Sequence, residues 1–279
     1  DEHRGEYFNM SVPIRASLKF AVDTGEKPAT YPKLPMDDPK RDTGTFEDRI
    51  VPLINGRDVA DELSLDREGF LITDHASDVS DFYDEAAIQT NYYEECIALL
   101  KEFTGADRVE IFDHTYRIQD VQKREKLGTG APVLTVHNDY TDWSGPKRVN
   151  DILPDEAEEL LKHRYVMVNV WRPLTEPVLT DPLALCDAAS MVDKDLIASD
   201  HIYPDRRGEP YRVAYGEGQK WMYFPEMTTG EAILIKCFDT EMDGRARLSA
   251  HGAAKLVKEP AEFIPRESIE VRTIAFFSP

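Results

Sequence analysis

A histidine and an aspartate stand two positions apart at the end of the apolar run at residues 133–140. Because side chains alternate between the two faces of an extended strand, His137 and Asp139 are predicted to project to the same side. An imidazole and a carboxylate on one face can share a metal ion. Taken alone, however, a His-x-Asp tripeptide more often contains a structural histidine and an aspartate that helps to form a turn.

A third ligand has to come from elsewhere in the chain, and His251 follows the apolar stretch at 232–238. Two imidazoles and one carboxylate leave three octahedral positions open, which suits Fe(II) with a bidentate co-substrate and O₂. Zinc would prefer a closed tetrahedron or a single open position. The sequence therefore predicts His137, Asp139 and His251 as catalytic metal ligands for Fe(II). His114, on a predicted strand, remains a reserve candidate.

The last apolar segment carries cations that could hold such a co-substrate. The far carboxylate of 2-oxoglutarate needs a buried cation, best supplied by an arginine with a neighbouring hydroxyl group. Arg266 and Ser268 form an Arg-x-Ser pair on one predicted strand face, and Arg272 follows on that face. Each arginine could equally pair with a surface acid. The residues predict a 2-oxoglutarate site and leave the choice between Arg266 and Arg272 open.

The remaining pattern indicates a mainly β protein with flanking helices. A helix is predicted at 81–103 and a shorter one at 155–163 from the spacing of apolar residues. Short β-branched and aromatic segments separated by Gly, Pro and Asp are typical of a sandwich, barrel or jelly roll. These predicted strands lie at 108–118, 132–137, 165–171, 183–186, 211–215, 221–224, 232–238 and 268–277. We expect a single domain at 1–279, with an N-terminal arm at 1–60 packed on a core at 108–277.

Composition limits the partners. The formal net charge is −20, from 33 Lys and Arg against 53 Asp and Glu, and that field repels nucleic acids and anionic membranes. No apolar run approaches the length of a membrane span. Three cysteines without metal-type spacing are predicted to be reduced and mostly buried in a cytoplasmic protein. The chain begins with Asp, so removal of an N-terminal segment is left open, as is a homodimer.

At this point the chain resembles the hydroxylase/desaturase family of fungi, a group of non-haem Fe(II)/2-oxoglutarate-dependent oxygenases. The resemblance runs over about residues 110–277. It rests on an ordered series of motifs: FDHT at 112–115, HND at 137–139, NVWRPL at 169–174, PLALCDA at 182–188, YFPEMT at 223–228, KCFD at 236–239, DGRAR at 243–247 and PRESIEVR at 265–272. The resemblance implies a double-stranded β-helix, also called a jelly-roll or cupin-like core. It also implies the same three iron ligands and a role in secondary metabolism.

The expected function is hydroxylation, desaturation or oxidative cyclisation of a small molecule through C–H abstraction. The alternatives are a non-catalytic jelly-roll binding protein and a cupin-type metal-dependent hydrolase or isomerase. Tyr140, Trp143 and Trp171 are candidate substrate-binding residues, although each is as typical of plain core. The chain departs from its relatives at Asn138, Tyr140 and Gly252, so we expect its substrate to differ from theirs.

Overall fold

Strands dominate the computed structural model, which describes residues 11–35 and 38–278. The strands are β1 (Ile14–Ala21), β2 (Ala29–Thr30), β3 (Phe46–Asn55), β4 (Phe70–Asp74), β5 (Arg108–Ile118), β6 (His137–Asn138), β7 (Tyr165–Pro173), β8 (Leu183–Cys186), β9 (Leu196–Ala198), β10 (Asp200–Ile202), β11 (Arg207–Gly208), β12 (Tyr211–Val213), β13 (Trp221–Tyr223), β14 (Glu231–Asp239), β15 (His251–Ala253), β16 (Lys255–Leu256) and β17 (Glu267–Phe276). The α-helices are α1 (Glu85–Ala87), α2 (Tyr93–Thr104), α3 (Val121–Leu127), α4 (Ser144–Ile152) and α5 (Ala157–Leu160).

Two large sheets form the mainly β architecture, which is that of a jelly roll. Nine strands make one sheet in the order β16-β1-β3-β13-β8-β15-β6-β12-β9, and five make the other in the order β4-β14-β7-β17-β5. A small sheet of β11, β10 and β2 lies beside them. The nine-stranded sheet includes β1 and β3, which come from the segment predicted as an N-terminal arm.

The five-stranded sheet separates an apolar layer from a polar one. Ile269 and Val271 of β17 are fully buried in the main core, together with Tyr92 and Leu100 from the segment of α2. The alternate positions of β17, from Arg266 to Arg272, carry polar side chains on the opposite face. One face of this strand thus packs against the core that includes α2, and the other face presents the polar side chains that could bind ligands.

Helix α2 continues a π-helical turn at Ile88–Tyr92, which itself follows α1. The Asp84 carboxylate caps α1 by accepting from the backbone N–H of Ala86, and Gly105 ends α2 with a φ of +71°, as a left-handed C-terminal glycine does. The helix predicted at 81–103 is confirmed with shifted ends and a π-helical turn. Sequence periodicity predicted neither α3 nor α4, because both are short and polar.

Most predicted strands are confirmed, and those at 108–118 and 183–186 have the predicted bounds. The strand at 132–137 is wrong in extent, since β6 holds only two residues. Pro132 lacks a backbone donor, and the Val136 N–H donates to the Lys19 carbonyl of β1 instead. The three cysteines are free and buried, as predicted. Within the described ranges, no helix is long and apolar enough to cross a membrane.

Candidate metal centre

His137 and His251 lie directly opposite each other on the neighbouring strands β6 and β15. Their ring centroids are 4.7 Å apart. Asp139 follows β6 on the same side as His137, and the nearest ligand atoms of the three residues all lie within 4.8 Å of one another. The structure therefore brings together the three residues that the sequence predicted as metal ligands, although they span 114 positions.

Backbone carbonyls orient both imidazoles. His137 Nδ1 lies 2.8 Å from the Thr135 carbonyl oxygen, and His251 Nδ1 lies 3.1 Å from that of Ser249. Because a carbonyl oxygen only accepts, each Nδ1 must carry the proton, which leaves the Nε2 lone pair available to a metal. Such carbonyl contacts are typical of metal-ligating histidines.

Asp139 is held by Asn169, whose Nδ2 donates to Oδ2 at 2.8 Å. Burial opposes ionisation of this carboxyl group, but the electrostatic influence of the two nearby imidazoles and of Arg272, together with the hydrogen bond from Asn169, outweighs it and lowers its pKa. The other carboxylate oxygen, Oδ1, lies 3.6 Å from His137 Nε2. Asp139 is therefore an ionised ligand with one oxygen positioned by the protein and one directed toward the histidines.

The charge states suit a divalent metal. Burial, together with the proximity of His251, lowers the pKa of His137 to about 4, so this imidazole is neutral at neutral pH and can coordinate. Two imidazoles and one carboxylate form the donor set that non-haem Fe(II) uses with open positions for co-substrates. The residues present thus fit iron.

Arg266 and Ser268 form a buried polar pair with unused hydrogen-bonding capacity. Arg266 is 3% exposed, and its guanidinium donates from Nη1 to the Asp181 carbonyl and lies 5.5 Å from the Trp171 ring centroid. In the part of the chain that the structure describes, Arg266 Nε and Ser268 Oγ are both buried and have no hydrogen-bond partner. Burial lowers the pKa of Arg266 to about 10, so it remains a cation, and this cation lacks an ion-pair partner within the described residues.

Arg272 has a different environment, because its guanidinium is already paired. Its Nε and Nη2 donate to the two Asp113 oxygens at 2.6 and 2.7 Å. Asp113 is the residue opposite Arg272 on β5. The two arginines that the sequence left as alternatives are therefore distinguished by their partners: one is neutralised by a bidentate carboxylate and the other is not.

The three predicted aromatic residues occupy different places. Tyr140 is buried and lines the cavity beside the ligands, and burial raises its pKa well above the ordinary value. Trp143 is 46% exposed and lies against Arg207 outside that cavity. Trp171 is buried beneath Arg266. The reserve candidate His114 bonds to the Tyr93 hydroxyl group and is not part of the triad.

Asn138 and Gly252, at which the sequence was expected to differ from its relatives, have local structural roles. The buried Asn138 amide donates to the carbonyls of Tyr140 and Cys237 at 2.8 and 2.9 Å and so holds the segment that carries Asp139. At Gly252, an added Cβ would lie 3.1 Å from Val136 Cγ1 and 3.2 Å from its Cα. A side chain at this position would therefore require Val136 to shift by a few tenths of an ångström.

A cavity of about 540 Å³ opens beside His137 and Asp139. Sequence reasoning missed several residues around it, namely Thr115 and Arg117 of β5, which line the cavity, and Asn169 of β7, which contacts Asp139. Asn169 is the single polar residue in the buried run at 165–171. That interruption of an apolar strand was the one available signal, since a buried amide requires a partner.

Comparison with known proteins agrees with this site. Residues 18–276 match the model of the family described as an oxidoreductase/YMDC permease-like domain. This chain belongs to that family. Among curated relatives, the "Hydroxylase/desaturase efuI" of Hormonema carpetanum is 35% identical over 77% of this chain and 79% of its own length. The "Fe(II)/2-oxoglutarate-dependent dioxygenase nvfI" of Aspergillus novofumigatus is 34% identical over 69% of each chain.

A solved structure extends the likeness to nearly the whole chain of this oxidoreductase. The "iron and alpha-ketoglutarate-dependent endoperoxidase NvfI" is 28% identical, with a TM-score of 0.85, and covers 96% of this chain and 99% of that one. The likeness confirms the jelly-roll core that the family resemblance implied, whereas the strand pattern alone had left a sandwich or a barrel open. Membership of the hydroxylase/desaturase family, predicted from the motif series, is confirmed by the curated relatives.

Proposed function

We propose that the protein is an Fe(II)/2-oxoglutarate-dependent oxygenase that acts on a small molecule by C–H abstraction. Hydroxylation, desaturation and oxidative cyclisation are the outcomes of such a reaction. Two features together carry the proposal. Three potential ligand atoms lie within 4.8 Å of one another, and Arg266 Nε and Ser268 Oγ are buried hydrogen-bonding atoms without a partner among the described residues. Fungal relatives whose names describe hydroxylases, desaturases and 2-oxoglutarate-dependent dioxygenases support it and favour a role in fungal secondary metabolism.

Each residue then has a defined task. His137, Asp139 and His251 would hold the iron, with Asn169 keeping the Asp139 carboxylate in place. Arg266 and Ser268 would bind the far carboxylate of 2-oxoglutarate, because a free Nε–H and a hydroxyl group are donors that a carboxylate satisfies. Iron bound here, with 2-oxoglutarate and O₂, supplies the oxidant for the substrate C–H bond. The cavity beside His137 admits the substrate and limits the access of water.

The domain organisation supports treating residues 1–279 as one oxygenase unit. Strands β1 and β3 lie in the same sheet as the strands that carry both histidine ligands. Val136, next to a ligand, packs in one apolar cluster with Leu18 and Leu53 of those strands. The N-terminal segment thus supports the metal centre, and deletion of β1 should abolish it.

Reconstitution with Fe(II) tests the function. Purified protein should retain about one iron per chain and form succinate from 2-oxoglutarate in the presence of O₂, even slowly without substrate. His251→Ala should lose both properties, while His163→Ala, which changes a partly exposed histidine near Glu159, should keep them. Iron retention without succinate formation would indicate a cupin-type hydrolase or isomerase. Absence of both in the wild-type protein would indicate a non-catalytic binding protein.

A further inference from the structure

The cavity beside the metal centre has a charge opposite to that of the whole protein. Across the chain, acids outnumber Lys and Arg by 53 to 33. Among the cavity-lining residues, Lys and Arg outnumber Asp and Glu by eight to four. One of those four carboxylates is the ligand Asp139. A cationic cleft in an anionic protein focuses its field on small anions.

Most of these cations already have partners. Arg272 pairs with Asp113, Lys147 with Asp151, and Arg212 with Asp42. Arg207 pairs with Asp200 and Arg41 donates to backbone carbonyls. These side chains are neutralised or engaged within the protein, and they build the walls of the cavity.

Arg117 is different, because it is only partly exposed and no hydrogen bond or ion pair of its side chain occurs within residues 11–35 and 38–278. Arg206 also has neither there, but it is exposed and lies over the Tyr203 ring. The half-buried Arg117 lines the cavity together with His137 and Asp139. A Cβ added at Gly130 would lie 2.2 Å from Arg117 Nη1, so this glycine provides the space for the guanidinium. Glu270 on the same face of the sheet lies beyond ion-pair distance.

A hydroxyl group stands next to this free guanidinium. Thr115, two positions earlier on β5, points to the same face. Its Oγ1 is buried and finds no hydrogen-bond partner among the described residues. Both residues line the cavity. On β17, Ser268 lies opposite Arg117 and Glu270 opposite Thr115, but neither lines the cavity, nor does Arg266. Thr115 and Arg117 therefore form a second arginine–hydroxyl pair, which faces the cavity next to the first.

We infer that the substrate is a carboxylic acid whose carboxylate binds Arg117 and Thr115 while its carbon skeleton extends toward His137 and Asp139. This inference rests on the proposed function. A guanidinium fork and a hydroxyl group match the two oxygens of a carboxylate. A buried donor left unsatisfied is costly, and a carboxylate satisfies both groups at once.

Anaerobic titration of the Fe(II)- and 2-oxoglutarate-loaded protein tests the inference. The probes are cinnamate, 1-naphthoate and cyclohexylacetate, each beside its methyl ester, with binding measured by calorimetry. The same titrations use Arg117→Gln, Arg117→Lys and, as a charge-matched control, Arg49→Gln, which removes an exposed cation on β3. The visible iron–2-oxoglutarate band is recorded for every protein.

At least one acid should bind in the millimolar range or tighter and about 10- to 100-fold more tightly than its ester, as a charge-assisted hydrogen-bonding pair provides. Arg117→Gln should remove this preference, Arg117→Lys should keep part of it, and Arg49→Gln should keep all of it, with the visible band unchanged. Equal binding of acid and ester, or no binding of any acid, would overturn the inference.

The inference would also be overturned if the visible band were lost in Arg117→Gln and kept in the other proteins, since Arg117 would then bind 2-oxoglutarate and not the substrate. Absence of the band in the wild-type protein would contradict the proposed function instead. The acid-over-ester preference is measured independently by calorimetry, so the two failures are distinguishable.

Discussion

The ligand atoms of the triad are placed by residues that do not themselves reach the metal. Thr135 and Ser249 present carbonyls to the two Nδ1 atoms, and Asn169 fixes one oxygen of Asp139. Such supporting contacts set the tautomer, the orientation and the basicity of the ligands. The affinity for iron should therefore depend on groups outside the coordination sphere.

Asn169→Leu tests this dependence with a side chain of similar size that cannot donate a hydrogen bond. The variant should bind Fe(II) about 10- to 100-fold more weakly, the range typical for loss of a supporting contact. Anaerobic competition with a chelator measures the affinity. Asn150→Leu, on the exposed surface of α4, should leave it unchanged. Equal affinities in the two variants would show that Asp139 does not need Asn169.

Substitution of the two arginines of β17 separates their roles. Arg266→Gln should raise the dissociation constant for 2-oxoglutarate about 10- to 100-fold, because it removes a charge-assisted donor. Arg272→Gln should change that constant much less, since its guanidinium is already engaged by Asp113. Quenching of intrinsic fluorescence by 2-oxoglutarate in the Fe(II) protein measures both. A larger effect of Arg272→Gln than of Arg266→Gln would contradict the assignment and show that Arg272 binds 2-oxoglutarate.

At the scale of elements, the metal centre depends on the close approach of β15 to the segment that leads into β6. Gly252 makes this approach possible. Gly252→Ala should push β15 away from Val136, cost about 1–3 kcal/mol of the free energy of unfolding, as overpacking does, and lower the iron content. Urea denaturation and metal analysis measure the two effects.

Gly218→Ala is the matched control, because an added Cβ there meets only the Ser190 carbonyl oxygen at 3.8 Å. It should keep both the stability and the iron of the wild-type protein. If Gly252→Ala behaved in the same way, the spacing of these two segments would not govern the site.

The elements that local pattern determines were predictable, and those that depend on distant pairing were not. Alternation along β17 placed Arg266, Ser268 and Arg272 on one face, and the structure agrees. No local pattern showed that Asp113, 159 positions earlier, would lie opposite Arg272 and neutralise it. For the same reason the sequence could propose two arginines for the co-substrate without choosing between them.

The site shows the same division. The pair His137 and Asp139 was visible as an alternation within one segment, and the motif series identified His251. Arg117 carried no such signal, since an arginine on a strand in an acidic protein is usually paired with a surface carboxylate. Its guanidinium occupies space that Gly130, from another part of the chain, leaves open.

At the scale of the whole molecule, a buried ion cluster connects the five-stranded sheet with the loop that leads to His251. Lys236 and Asp239 of β14 are 1% and 0% exposed, and Lys236 Nζ lies 2.8 Å from Asp239 Oδ2. The same Nζ donates to the Ala246 carbonyl at 3.0 Å, and Arg164 contacts Asp239 at 2.9 Å. The cluster fixes the segment at 240–250 against the sheet.

Lys236→Met should cost about 3–5 kcal/mol of the free energy of unfolding, because it leaves Asp239 buried with less compensation. Lys147→Met, which breaks a partly exposed pair with Asp151, should cost about 1 kcal/mol or less. Urea denaturation at neutral pH measures both values. Similar losses of unfolding free energy in the two variants would mean that the burial of Lys236 and Asp239 does not increase the cost of breaking their ion pair.

The pH dependence of stability should show the same cluster. Burial raises the pKa of Asp239, but Arg164 and Lys236 outweigh it and lower the pKa below the ordinary value. The stabilisation is therefore present above the pKa of an unfolded aspartate, about 3.9, and is lost as the pH falls through the lower folded value. Acid denaturation curves should show a smaller loss in this range for Asp239→Asn, and an unchanged slope would contradict the assignment.

The central claim is that His137, Asp139 and His251 hold an iron to which 2-oxoglutarate binds. The most direct measurement is an anaerobic titration of the protein with Fe(II) and 2-oxoglutarate, followed by visible absorption. The wild-type protein should give a weak charge-transfer band that needs both components, and His137→Ala should lose it. A wild-type protein that binds iron with no such band, or a His137→Ala variant that keeps it, would contradict the claim.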